Sequence, residues 1–408
     1  MMKRFIFVIV LFSAFVMPVL AVPIDCMSCH GSTGAKYPLL GAKLGYAESG
    51  HATLGDARYA NGGGCQRCHT NEGYVEYATK FAFDTAKYDL YAASKNADGT
   101  EVKDKDGKVV PPPFVSYPSQ PGCFTCHDPH TRGDFLLRTQ NAEAKGVVTN
   151  RTVTLYNKFV FSGGAGSSCA SCHQERGAMA SAVASAKGIV SPRGNSHHGP
   201  EADMLAGTNG YEFAGKKYGS SPHYAMVKDT CVTCHMEQPN GRYGFSPKVG
   251  GHAFTVVGEV HEAEVGNISN CLTCHGKDVK VVASKKIYLA ESGNARLGYK
   301  NSAFFNIKAK ADYDRDGSVE FVQQEVQGLI EKLQVSFQKL PVPILKADGT
   351  FATGNKNVYP NDVVGAYQNY LYVIEDKSLG VHNTTYAIQL LMDSIAAVDP
   401  TFDVSARP

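Results

Sequence analysis

The sequence predicts a mainly α-helical protein with extensive loops, split between a loop-rich region and a helical C-terminal region. Three observations lead there. All twelve cysteines fall in six CxxCH motifs. The connections between motifs, such as GSTGAKYP, PPPFVSYPSQPG and FSGGAGSS, are made of turn-forming residues and read as loops. Beyond residue 291 there is no cysteine, and apolar residues recur at helical spacing instead.

The chain opens MMKRFIFVIVLFSAFVMPVLAVPID. Lys3 and Arg4 precede an apolar run from Phe5 to Leu20, and Val19-Leu20-Ala21 offers a cleavage site, so residues 1–21 read as a secretory signal peptide. A retained membrane anchor is the alternative, but the run is short for a span and contains Pro18. Cys26 lacks the preceding leucine of a lipobox, and no later segment is long and apolar enough to span a bilayer. The expectation is an exported chain, periplasmic or extracellular at the outer cell surface, and not an integral membrane protein after cleavage. Cleavage removes two basic residues and leaves 38 basic against 38 acidic, which gives no reason to expect nucleic-acid binding.

Residues 22–290 hold the motifs. The cysteine pairs are Cys26/Cys29, Cys65/Cys68, Cys123/Cys126, Cys169/Cys172, Cys231/Cys234 and Cys271/Cys274. Each is followed at once by a histidine: His30, His69, His127, His173, His235 and His275. In CxxCH the thiols add to the two haem vinyl groups, and the adjacent imidazole turns beneath the iron as its proximal ligand. Zinc sites or CxxC redox pairs would not require a histidine directly after the second cysteine six times over. The reading is therefore a hexahaem cytochrome c region organised around stacked covalent haems. Its propionates would make the holoprotein acidic. The first two motifs lie 39 residues apart and the fourth and fifth 62, which is no regular repeat. Residues 95–113 read as an exposed hairpin or loop.

Eight histidines remain to supply second axial ligands: His51, His130, His197, His198, His223, His252, His261 and His382. Two strong ligands close an iron to substrate and leave it to carry electrons. His130, three residues after His127, suits a neighbouring haem better than its own. His51, His223 and His252 lie in Gly- or Pro-marked turns. Of the adjacent His197 and His198 one is expected to ligate, and His198 is taken. His261 sits among Glu259, Glu262 and Glu264 and reads as solvated. His382 is remote from every motif.

Residues 291–408 read as a haem-free helical region of at least three helices. Val319, Val322, Val326, Leu329, Ile330, Leu333 and Phe337 form one stripe, and Ile388, Leu391, Met392 and Ile395 another. The segment DYDRDGSVE resembles a calcium loop, with Asp312, Asp314, Asp316 and Glu320 as ligands and Gly317 at the sharp turn. Gln323 stands where the bidentate Glu would be, and an ordinary acidic helix-start turn is the other reading.

The stretch from Gly194 to Gly276 resembles the multihaem superfamily that contains ammonia-forming cytochrome c nitrite reductase and hydroxylamine oxidoreductase. The residues that carry it are GNSHHGPEADMLAG, then His223 ahead of CVTCHM, GGHAF at His252, and NCLTCHG. The family has a further histidine in a Gly-aliphatic-His context on its C-terminal helices, which Gly380-Val381-His382 matches, so the resemblance makes His382 a distal ligand. It also implies that His223 lines a substrate pocket if one iron is open. The chain departs from the family's reductases in lacking a CxxCK motif and in carrying six haem motifs where five are usual.

Two functions follow. The favoured one is electron transfer along mostly bis-His haems in anaerobic or extracellular respiration, with redox proteins, other multihaem cytochromes or further copies of this chain in an oligomer or filament as partners. The alternative is a nitrite- or hydroxylamine-reducing oxidoreductase with one open haem, at which His223 is catalytic. A structural linker subunit is the weaker third reading.

Overall fold

The structure is a computed structural model that describes residues 39–53, 63–128, 136–142, 148–194, 197–239, 244, 246–282, 304–352 and 357–408. Residues 1–21, where the sequence predicts a signal peptide, the first motif (Cys26, Cys29 and His30) and His130 lie outside the described residues.

The motif-bearing part is built from short helices. The motifs sit on single turns at Gln66–His69, Cys123–Cys126, Ser167–Ala170 and Cys231–His235 and on the slightly longer Ser269–His275. Between them run α1 (Leu40–Glu48), α2 (Asn71–Lys80), α3 (Thr85–Ala92), α4 (Met179–Ala186) and α5 (Glu201–Ala206). Side-chain oxygens start two of these: Thr70 accepts from the Gly73 amide and Asp84 from that of Lys87, each at 3.0 Å. The described strands form two-stranded antiparallel ribbons. In the ribbon Val257–Val260 with Ala263–Gly266, His261 and Glu262 make the turn with φ of +51° and +62°. That places His261 in solvent, in line with its acidic surroundings in the sequence. Residues 95–113 form two exposed successive turns, bridged at Lys95–Glu101 and Lys103–Val109.

The main apolar core lies at the C-terminal end. It is formed by α6 (Val322–Lys339), α7 (Asn361–Asp376) and α8 (Thr384–Val398). Val326, Leu329, Ile330, Leu333 and Phe337 bury one stripe of α6 against Val364, Tyr367, Leu371, Ile388, Leu391 and Met392. Each large apolar side chain buried this way contributes about 1.5–3 kcal/mol. Val319 lies before α6 and is exposed, so the helical stripe begins later than the sequence suggests. Helix α7 is buried on every side. Tyr211 presses so close to Gly365 that a Cβ there would sit 2.0 Å from its ring. Tyr372 donates to the Thr208 carbonyl and Tyr218 to the Asp393 carboxylate, which fastens the three helices to the motif-bearing part. Among the described residues, no helix is long and apolar enough to cross a membrane.

Candidate functional site

The motifs press against one another through their own backbones. Cys68 Sγ lies 4.0 Å from the Ser171 carbonyl, and Cys172 Sγ lies 3.9 Å from that of Arg67, so two motifs meet reciprocally. Cys231 Sγ lies 3.9 Å from the Gly166 carbonyl, and Thr230 donates to the Gly163 carbonyl at 2.8 Å. Glycine is required for this approach, since a Cβ on Gly166 would fall 2.1 Å from Thr230 Oγ1. Asn267 donates to the Cys234 carbonyl and Asn270 to the Glu237 carboxylate, joining the last two motifs. Thr125 in the His127 motif donates to Asn71, just after His69. The ten described cysteines are all free of disulfides. In the thioether-linked protein their Sγ atoms would be the attachment sulfurs.

Each described motif histidine faces a second histidine. Ring centroids are 5.9 Å apart for His173 and His51, and 6.2 Å for His69 and His197. They are 6.2 Å for His127 and His252, 6.2 Å for His235 and His382, and 6.0 Å for His275 and His223. Stacked rings would sit closer. Two metal–nitrogen bonds of about 2 Å, with about 1 Å from each nitrogen to its ring centre, span about 6 Å. The gap in each pair therefore has the width of one ligated ion; a motif histidine beside free cysteines is the donor set that covalent haem requires, and the facing imidazole offers a second axial donor.

In four of the five pairs an outer nitrogen is tied down. Nδ1 bonds the Val381 carbonyl from His223 and the Phe254 carbonyl from His235, each at 2.8 Å. His197 Nδ1 reaches the His198 carbonyl at 2.7 Å. His382 Nδ1 meets Asp376 Oδ1 at 2.6 Å, and His173 Nδ1 meets Glu201 at 3.3 Å. Each bond leaves Nε2 to face the partner ring and fixes the tautomer. Burial, reinforced by His173, pushes the His51 pKa down to about 4, and burial takes His197 to about 4. Both are therefore neutral donors. Burial opposes charge on His382 and His173, but the Asp376 and Glu201 carboxylates outweigh it and lift each to about 9.

Phe254 joins three of the pairs. Its ring lies 5.1 Å from His51 and 5.8 Å from His252, while its carbonyl holds His235. It adopts φ of +58°, a left-handed conformation costly for a bulky residue and found where surroundings enforce it.

The structure differs from the sequence reading in two places. His197, not His198, faces His69. The His198 ring turns toward α7, where its Nδ1 lies 2.7 Å from the buried Glu375 carboxylate. In the acidic loop, the oxygens brought within 4.8 Å of one another belong to Asp312, Asp314 and Glu325. Glu320 and Asp316 stand outside that cluster. Glu325, on the first turn of α6, folds back and accepts the amides of Tyr313 and Glu320 at 2.7 and 2.8 Å. Asp316 instead accepts the Ser318 amide. The described cysteines also differ in how far they are covered. Cys274 is exposed, as is Cys123, while the other eight described cysteines are half-buried. Cys68, Cys172 and Cys231 each meet the backbone of another motif, whereas Cys274 Sγ is met by the hydroxyl of its own neighbour Thr273 at 3.8 Å.

Sequence reasoning also passed over Asp376, Glu201 and Phe254. Their only signal was proximity in the chain to a histidine, and for Glu201 not even to the one it binds.

No family model matches the chain. Over 375 residues it is 27% identical to the C-type polyheme cytochrome OmcB of Geobacter sulfurreducens. Over 369 residues it is 26% identical to OmcC, a C-type polyheme cytochrome of the same species. It is a multihaem c-type cytochrome. Each alignment covers 82% of this chain and 43% of the relative, so this cytochrome spans less than half the length of those curated relatives. The crystal structure of the outer cell wall cytochrome OcwA superposes with a TM-score of 0.43 and 18% identity, covering 88% of this chain and 50% of that one.

Proposed function

We propose that this cytochrome carries electrons along six covalently attached haems, each closed by two histidines, as an exported protein in anaerobic or extracellular respiration. The observation that carries the reading is the set of five histidine pairs at 5.9–6.2 Å, each anchored on a CxxCH motif. Haem supplies a one-electron centre at each pair. The chain's own residues hold those centres, exclude competing ligands from the iron faces and keep neighbouring motifs in contact.

The motif contacts support an order. The His69 motif adjoins the His173 motif, which adjoins the His235 motif, which adjoins the His275 motif. The His127 motif joins beside the first two, through Thr125 and through Phe254. The partners are redox proteins at the ends of that path, and calcium at Asp312, Asp314 and Glu325 steadies the loop leading into α6.

Nitrite or hydroxylamine reduction needs an iron with a free face. The residue that the superfamily resemblance would put in such a pocket, His223, instead faces His275 with its Nδ1 bound to Val381. The test is low-temperature EPR of the oxidised protein with a viologen-driven nitrite and hydroxylamine assay. Low-spin signals alone and no turnover are expected. A high-spin haem that binds nitrite would sink the carrier reading.

A further inference from the structure

The five described pairs are alike in spacing but not in what stands behind them. His223, His235 and His197 bond neutral carbonyls through Nδ1. His173 meets Glu201 through a longer contact, with its side chain nearly half exposed. His382 differs from all of these. Its partner, Asp376, has a side chain 1% exposed and a bond of 2.6 Å.

The fold goes to some trouble to make that bond. Asp376 is the last residue of α7, where the helix dipole disfavours a carboxylate. The chain then reverses through Lys377, Leu379 and Gly380, with φ of +61°, +49° and +84°, and so returns His382 to Asp376. Ser378 donates both its amide and its hydroxyl to the carboxylate's other oxygen. Two of the three left-handed residues have side chains, so the turn is strained.

A buried carboxylate that accepts from an axial imidazole pulls the ring toward imidazolate. It makes the ring a stronger donor and favours the more positive, oxidised iron. The effect is largest where water cannot screen it. We infer that Asp376 is a positioning residue that makes the haem between His235 and His382 lower in potential than the centres at His173, His69 and His275. This rests on the bis-His reading above. In the motif order that centre lies inside the path, so electrons cross it as a low-occupancy step and do not collect there.

The experiment is a spectropotentiometric titration with EPR on full-length holoprotein carrying Asp376→Asn. The centre identified by the high-spin signal of His382→Ala should lie below those three in the wild type, each identified in the same way from His51→Ala, His197→Ala and His223→Ala. In Asp376→Asn it should stay low-spin while its oxidised-to-reduced ratio at fixed potential falls at least tenfold, a rise of about 59 mV. A Glu201→Gln variant should move the His173 centre less. An unchanged potential with low-spin signals intact overturns the proposal. So does a wild type in which the His382 centre lies above any of those three, a measurement that does not depend on the Asn variant folding. If His382→Ala yields no high-spin haem, the axial pairing itself fails, which is a separate outcome that removes the proposal with it.

Discussion

His223 and His275 face one another at 6.0 Å, and the Val381 carbonyl holds the outer nitrogen of His223. His223 is thereby turned away from the role of a pocket residue. Replacing it with alanine should convert one low-spin haem to high-spin, detected by EPR, without loss of covalent haem on a stained gel. A His223→Ala protein with every haem still low-spin would remove His223 from the ligand set.

The adjacent histidines 197 and 198 give a sharper contrast. His197→Ala should expose one iron, since His197 faces His69. His198→Ala should leave all axial pairs intact, since His198 turns toward Glu375. Magnetic circular dichroism of the two variants decides between them, and the reverse result would restore the choice of His198 made from sequence.

How much of this was legible beforehand follows from how local each constraint is. CxxCH is written within five residues because both thiols and the imidazole must reach one porphyrin. How deeply each cysteine is covered is not written there, so Cys274 and Cys172 look alike until neighbouring motifs are in place. The distal set is different again. His51 is matched to His173 and His252 to His127 by tertiary contacts that no spacing encodes. Neighbours such as His197 and His198 look the same in a sequence and diverge only when the chain turns. His382 stood out solely through a family resemblance. The C-terminal stripe from Val326 to Phe337 was readable because a helix repeats its own signal, whereas Glu325 was not, because it reaches back into the loop from a helix.

Calcium binding should stabilise the α6–α8 unit by about 2.7 kcal/mol at a hundredfold excess over the dissociation constant. Glu325→Gln should abolish the rise in melting temperature on adding calcium, and Glu320→Gln should keep it. Equal loss in both variants would return the site to the ligand set expected from the loop alone.

Gly365→Ala should cost about 1–3 kcal/mol, because the new methyl meets the Tyr211 ring and overpacks the seam between α7 and the motif-bearing part. Urea unfolding followed by haem absorbance measures it. A neutral outcome would mean that Tyr211 moves freely.

Asp203 sets a pH dependence. Burial raises its pKa to about 7, despite amide donors from Glu175 and Asn209. A raised carboxyl pKa means that the folded state holds the proton more tightly. That contribution is full below the unfolded value near 4 and is lost as pH climbs toward 7. Asp203→Asn should therefore gain on the wild type as pH rises from 5 to 8, read as the difference in melting temperature. A constant difference across that range would mean that Asp203 ionises normally.

Four of the five described histidine pairs join positions more than a hundred residues apart, such as His51 with His173 and His235 with His382. On the proposed reading every cysteine is committed to a porphyrin, which leaves no disulfides to spare for fastening distant segments. The iron–imidazole bonds would then take over that work. Each closes a loop of a length at which a covalent staple would restrict the unfolded chain by about 4–5 kcal/mol in the chain-entropy picture. These staples are reversible. Anything that exchanges an axial ligand also unpins a segment, so the wiring of this cytochrome and its mechanical integrity fail together.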